Sequence, residues 1–154
     1  MSALLCMSHT PLMPFAEPPP GVRAATESAI AGAAEALRRF DPELVVIFGP
    51  DHYNGFFYDL MPAFCIGTQA SAIGDFDTPA GALRVDAQAA KDCAAYVLAH
   101  GVEVGVSHRM RVDHGFSQPL EKLVGTLDRY PVLPVFVNSV APPFGPIRRV
   151  RELG

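Results

Sequence analysis

Hydrophobic and polar positions divide the chain into alternating segments. Ala3–Met7 is a short apolar run that meets a polar, proline-rich stretch from Ser8 to Gly21, which predicts a buried strand emptying into a long loop, with His9 just past the strand. From Val22 to Phe40, Ala25, Ala29, Ala33, Leu37 and Phe40 recur every three or four positions while Glu27, Glu35, Arg38 and Arg39 occupy the other face, the pattern of an amphipathic helix. Asp41-Pro42 ends it, because the residue before a proline disfavours the helical region. The run Leu44–Phe48 that follows is β-branched and aromatic without polar alternation, which predicts a strand buried on both faces.

The turn-rich segment Gly49–Gly55 leaves that strand carrying His52. Met61–Ile66 reads as a further short strand, and Gly67–Leu83, small, polar and broken by Gly and Pro, as a long surface excursion. Asp86 is placed to cap a helix running to about His100, with Ala90, Cys93, Ala94, Val97 and Leu98 on one stripe and Gly101 past its end. Val102–Val106 reads as a strand and Ser107–Phe116 as a loop. Ser117 reads as the cap of a helix with Leu120, Leu123, Val124 and Leu127 inward, and Val132–Val137 as a last strand. Strands alternating with helices imply an α/β fold, a mainly parallel sheet with helices on both faces. The final segment, Ile147–Gly154, has apolar residues three apart and reads as the opening of a helix, so the fold is expected to be incomplete at the C-terminus.

The chain has 154 residues, enough for one domain with a substantial core. With 49% hydrophobic residues, 18% charged residues and a formal net charge of -4, it has the balance of a globular protein without a basic footprint, and nucleic acid is not expected as a partner. No apolar run approaches the roughly 18–20 residues that cross a bilayer, and no basic region precedes the first apolar stretch, so no membrane association and a cytoplasmic location are expected. Cys6, Cys65 and Cys93 are odd in number and set among apolar neighbours, which fits reduced core thiols. The 15 prolines and 13 glycines punctuate elements and form no low-complexity tract or repeat.

In open α/β sheets ligands bind outside the carboxyl ends of the strands, and His9, His52 and His114 all fall in loops of that kind. Two neutral imidazoles joined by one carboxylate make the facial triad that leaves positions open on iron(II). Spacing alone is weak support, since no HExxH or CxxC word is present and a lone loop histidine is more often structural. Asp113, next to His114, either orients a ring or is simply a solvated carboxylate, and Asp51, next to His52, has the same two readings. Tyr53, Phe56, Phe57 and Tyr58 either wall an aromatic pocket or pack in the core. His100 and His108 receive no catalytic role, although Arg109 or Arg111 is a candidate partner for a substrate carboxylate.

Three local words go further: Ser8-His9-Thr10-Pro11-Leu12, Pro50-Asp51-His52-Tyr53-Asn54-Gly55-Phe56-Phe57-Tyr58-Asp59, and Val112-Asp113-His114-Gly115-Phe116-Ser117-Gln118-Pro119-Leu120. In that order, and together with Ala72-Ile73-Gly74-Asp75-Phe76 and Pro131–Asn138, they resemble the class III extradiol dioxygenases, in particular the bacterial members acting on 2,3-dihydroxyphenylpropionate. The resemblance covers essentially the whole chain and implies that residues 1–154 are the N-terminal half of a single catalytic domain.

It further implies that His9 and His52 bind Fe(II) and that His114 is the proton donor to the reacting oxygen intermediate. Asp113, Tyr53 and Phe57 would be weaker candidates for substrate binding or for supporting the ligands. The family's third ligand, a glutamate, and its second catalytic histidine would lie beyond Gly154, so this chain alone is expected to be an incomplete catalyst. The implied partners are a small aromatic diol and O2, with a homo-oligomer as the full-length assembly. The competing readings are a different enzyme class on the same scaffold, a zinc-dependent hydrolase or ring-substitution relative, and a metal-binding or interaction module without dioxygenase activity.

Overall fold

The computed structural model describes residues 1–13 and 15–154. In chain order the elements are α1 (Val22–Phe40), β1 (Val45–Gly49), β2 (Phe64–Gly67), β3 (Ala70–Ile73), β4 (Ala80–Ala82), α2 (Ala87–Ala99), β5 (Gly105–Ser107), β6 (Met110–Val112), α3 (His114–Pro119), β7 (Val132–Val137) and α4 (Ile147–Leu153). Strands form a four-stranded sheet in the order β1-β7-β2-β5 and a three-stranded sheet in the order β4-β3-β6. β1 runs parallel to β7, β2 to β5 and β3 to β6, whereas β2/β7 and β3/β4 are antiparallel. The expected α/β class holds, with the sheets mostly but not wholly parallel.

One face of the larger sheet packs against α3 and its continuation, joining Val132 and Phe136 to Phe116, Leu120 and Val124. The opposite face receives α2, with Ala90 and Ala94 against Ile66, Leu133 and Val135. Helices therefore lie on both faces. α1 has the bounds its periodicity predicts, with Leu37 packed against the first cluster, and β7 spans the expected Val132–Val137. Asp86 caps α2 as expected, its carboxylate accepting the amides of Gln88 at 3.1 Å and Ala89 at 2.9 Å. The C-terminal segment is helical, as α4.

Several expectations fail for identifiable reasons. Ala3–Met7 forms no strand: residues 1–10 have no regular structure and Leu4 is 86% exposed. An apolar run supplies side chains for a strand, but it becomes one only when paired in a ladder, and here the outer edge of β1 carries no partner strand among the described residues. β1 is covered on one face only, with Val46 and Phe48 exposed, because α2 lies over β2 and β7 and stops short of the edge strand. Leu98, expected on the inward stripe of α2, is exposed.

Gly67–Leu83 is no surface excursion. It supplies β3, a tight turn at Asp75–Asp77 and β4, and it buries Thr68, Ala70, Ala72, Thr78 and Leu83. Alanines signal burial poorly because they add little hydrophobicity, yet they permit close packing of the small sheet. The expected strand at Val102–Val106 is shorter and later, Gly105–Ser107, and the expected loop Ser107–Phe116 contains β6. The helix that follows starts three residues earlier than Ser117, because Asp113 outcompetes that serine as the cap, accepting the Gly115 amide at 2.9 Å. The Ser117 hydroxyl instead bonds within the fold, to Thr78 Oγ1 at 2.9 Å and to the Asp113 carbonyl at 3.2 Å. α3 then passes into a wider helical turn at Leu120–Val124.

All three thiols are free, but only two match the core expectation. Cys65 is buried, which pushes its thiol up to about 11, and Cys93 is partly buried, whereas Cys6 lies exposed on the irregular N-terminal segment. No helix among the described residues is long and apolar enough to cross a membrane.

Candidate metal centre and acid-base site

The site forms where the ends of three strands, from both sheets, meet the first turn of α3. His52 follows β1, Asp75 follows β3, and Asp113 and His114 follow β6, while His9 arrives from the N-terminal segment. Each backbone turn has a local cause. After β1 the buried Asp51 carboxylate accepts the amides of Asn54 at 3.2 Å, Gly55 at 2.8 Å and Phe56 at 3.1 Å, folding the loop back on itself. Burial raises the Asp51 carboxyl above its ordinary value despite those three bonds. Gly55 is required there, since a Cβ would lie 2.1 Å from the carbonyl oxygen of Arg111. After β3, Gly74, Phe76 and Asp77 all adopt positive φ, at 77°, 49° and 58°, a strained turn that delivers Asp75 and Phe76 to the site.

Three imidazoles converge. Ring centroids are 5.2 Å apart for His9 and His52, 5.5 Å for His9 and His114, and 4.4 Å for His52 and His114, the last pair stacked at 19°. One nitrogen from each lies within 4.8 Å of the others. His9 Nε2 and His52 Nε2 face one another at 3.4 Å. Burial foremost, and then the neighbouring His52 and His114 rings, hold the His9 imidazole below its ordinary value of 6.5.

Asp113 organises this group and is fully buried, so it is no solvated carboxylate. Its Oδ2 accepts the His52 amide at 2.7 Å, His52 Nδ1 at 3.0 Å and the Asn54 side-chain amide at 3.1 Å. Burial alone would raise its carboxyl. The bonds from Asn54, His52 and Gly115 outweigh that penalty and hold it below the ordinary carboxylate value, as does its place at a helix N-terminus. With Asp113 accepting at Nδ1, the His52 proton sits on Nδ1 and the Nε2 lone pair points at His9.

His114, 2% exposed, is held by a different acid. Its Nδ1 donates to Asp75 Oδ2 at 2.5 Å. Among the described residues its Nε2 is buried with no hydrogen-bond partner, as is Asp75 Oδ1. A native fold rarely leaves such atoms unpaired, and this nitrogen belongs to a ring set against two converged histidines, which makes the spot a candidate ligand site. Phe76 closes one side, edge-on to His114 at 5.1 Å.

The sequence-expected residues divide accordingly. His9, His52, Asp113 and His114 are brought together. Phe56 stacks on Phe136 at 4.4 Å in the core, Tyr53 packs against Tyr58 at 5.0 Å, and Phe57 is 46% exposed. The aromatic ring found against His114 is Phe76, from the segment expected to be a surface loop. Asp75, Asn54 and Gln118 are also contributors that residue patterns did not single out, although each lies inside one of the family-like words. His100 and His108 are engaged elsewhere, with the Tyr96 carbonyl and the Thr68 hydroxyl, both at 2.8 Å.

Residues 3–154 match the family described as catalytic LigB subunit of aromatic ring-opening dioxygenase. The chain belongs to the LigB family. It is 58% identical over 151 residues to a protein of Paraburkholderia xenovorans named 2,3-dihydroxyphenylpropionate/2,3-dihydroxicinnamic acid 1,2-dioxygenase. Proteins of similar name from Pseudomonas putida and Xanthobacter autotrophicus are 54% and 52% identical. These alignments cover 98% to 100% of this chain but 48% to 49% of each relative, so this LigB chain spans about half the length of the curated relatives it matches.

Proposed function

We propose that this LigB chain provides one half of the site of an extradiol dioxygenase, which opens a catechol such as 2,3-dihydroxyphenylpropionate beside its diol with O2. His9 and His52 would hold Fe(II) and His114 would be the proton donor. The observation that carries this reading is the buried, unpartnered Nε2 of His114 beside the facing Nε2 atoms of His9 and His52. A neutral imidazole pair suits a divalent transition metal, and two histidines with one carboxylate make the donor set of non-heme iron oxygenases.

The donor chemistry supports that fit. Hydrogen bonding of His52 Nδ1 to a carboxylate fixes the tautomer that presents Nε2 to a metal, an arrangement common around metal-bound histidines. Asp113 and Asp75 bind His52 and His114 through Oδ2, and the third donor in this reading is the glutamate that the family resemblance implies, from the portion of the relatives that this chain does not span. The chemistry that iron(II) supplies when bound is passage of electron density between a chelated diol and dioxygen.

The chain's own residues then handle position and protons. Asp75 accepts the Nδ1 proton of His114, so a proton taken up at Nε2 is the one the ring can pass on toward the reacting oxygen. Phe76 packs T-shaped against the His114 ring, an apolar neighbour on that side. The test is to join this chain to the remaining half of the Paraburkholderia xenovorans relative, load Fe(II) without oxygen, and measure bound iron and the position of ring cleavage. Stoichiometric iron that is lost on His9→Ala or His52→Ala, with cleavage beside the diol, is expected. Bound zinc with hydrolysis and no oxygen uptake would refute the proposal.

A further inference from the structure

We propose that Gln118 is a positioning residue, setting the His9 imidazole in the site by clamping the backbone of the residue beside it. Gln118 is 2% exposed, on α3 one turn after His114. Its carboxamide faces the main chain of Thr10. The Thr10 amide donates to Oε1 at 2.9 Å, and Nε2 donates to the Thr10 carbonyl at 2.8 Å. One side chain, 108 positions away, thus satisfies both main-chain polar groups of Thr10, as a neighbouring strand would in a ladder.

The N-terminal segment needs such a tie. Residues 1–10 contain no helix or strand, Leu4 and Met1 are exposed, and among the described residues the side-chain bond of His9 itself reaches only the His52 ring, at a long 3.4 Å. The turn bonds from Met13 to the Thr10 carbonyl and from Leu12 to the Thr10 hydroxyl are local and do not fix the segment to the body. A buried amide costs free energy unless both its ends are paired, so a glutamine here is poor core packing and a good fit to one exposed backbone. Its rigid place on the helix that also begins with His114 keeps His9 and His114 in a fixed relation.

The consequence for metal binding rests on the reading of His9 as a ligand, while the clamp itself does not, so the two are tested apart. The experiment is NMR of the histidine ring protons in the 154-residue chain and in Gln118→Met, which has similar length and neither bond, followed by titration with cobalt(II). Leu120→Ala, a buried truncation on the same helical run, is the control for general loosening. In Gln118→Met the His9 ring signals are expected to move to free-histidine positions and the Thr10 amide to lose its exchange protection. His52 should keep its shifts, and cobalt(II) affinity should drop about 10- to 100-fold. Leu120→Ala should leave the His9 shifts in place. Unchanged His9 shifts in Gln118→Met, or equal displacement in Leu120→Ala, would overturn the clamp. Displaced His9 shifts in Gln118→Met, with a parent chain that takes up no cobalt(II) at His9 and His52, would support the clamp and overturn the metal reading.

Discussion

Asp75 Oδ2 lies 2.5 Å from His114 Nδ1, joining two residues 39 positions apart through a strained turn at the end of one strand and the first turn of a helix. The bond sets which nitrogen of His114 carries the proton in the neutral ring. Among the described residues it leaves Nε2 without a hydrogen-bond partner.

Asp75→Asn in the completed enzyme should therefore lower kcat by about 100-fold, the scale of a lost general acid, because an amide can turn its NH2 to the ring and no longer fixes Nδ1 as the donor. Iron content should stay at the parent level. A loss of iron equal to that of His9→Ala would mean that Asp75 serves the metal and not the proton donor.

Asp113 has a different role, and its removal should damage both stability and metal binding. Asp113→Ala leaves the His52 amide, His52 Nδ1 and the Gly115 amide without an acceptor, and leaves the Asn54 side chain only its bond to the His52 carbonyl. A loss of about 3–5 kcal/mol in urea unfolding is expected, from the buried donors left unpaired and the lost cap. A change under 1 kcal/mol would contradict the network.

Acid should loosen the same site. The His9 pKa lies below 6.5, so the unfolded chain binds a proton there more readily than the folded one; the corresponding stability is present above pH 6.5 and is lost as pH falls through the folded value. Asp113, also depressed, adds stability above its unfolded value near 3.8 that is lost as pH falls through the lower folded value. Titration of the His9 ring proton by NMR should give a midpoint under 6.5, and a midpoint above it would be incompatible with three imidazoles crowded together.

Gly55→Ala should destabilise by about 1–3 kcal/mol or more, because the added methyl meets a backbone carbonyl that cannot give way as a side chain would. Thermal unfolding reads the change directly, and His52 should lose its Asp113-bound ring shift in the same variant.

Much of the site was legible because ligands, loops and strand ends are coupled in α/β proteins, and His9, His52 and His114 each sit in a short recognisable word. What was not legible depended on neighbours. Val46 and Phe48 read as buried because a continuous apolar run does not reveal that its strand lies at a sheet edge. Asp113 and Ser117 are both good caps, and the choice between them was decided by Asp113 also serving His52. Asp75 and Phe76 lay in a segment rich in small residues, whose burial comes from close packing that hydropathy does not register.

The most direct test of the central claim is a single turnover of the completed enzyme with 2,3-dihydroxyphenylpropionate, comparing the parent with His114→Ala after both are loaded with Fe(II) and substrate without oxygen. On adding O2 the parent should form the yellow ring-opened product, while His114→Ala, with its iron retained, should form it about 100-fold more slowly or not at all. Product formation by His114→Ala at the parent rate would contradict the assignment of His114 as the proton donor.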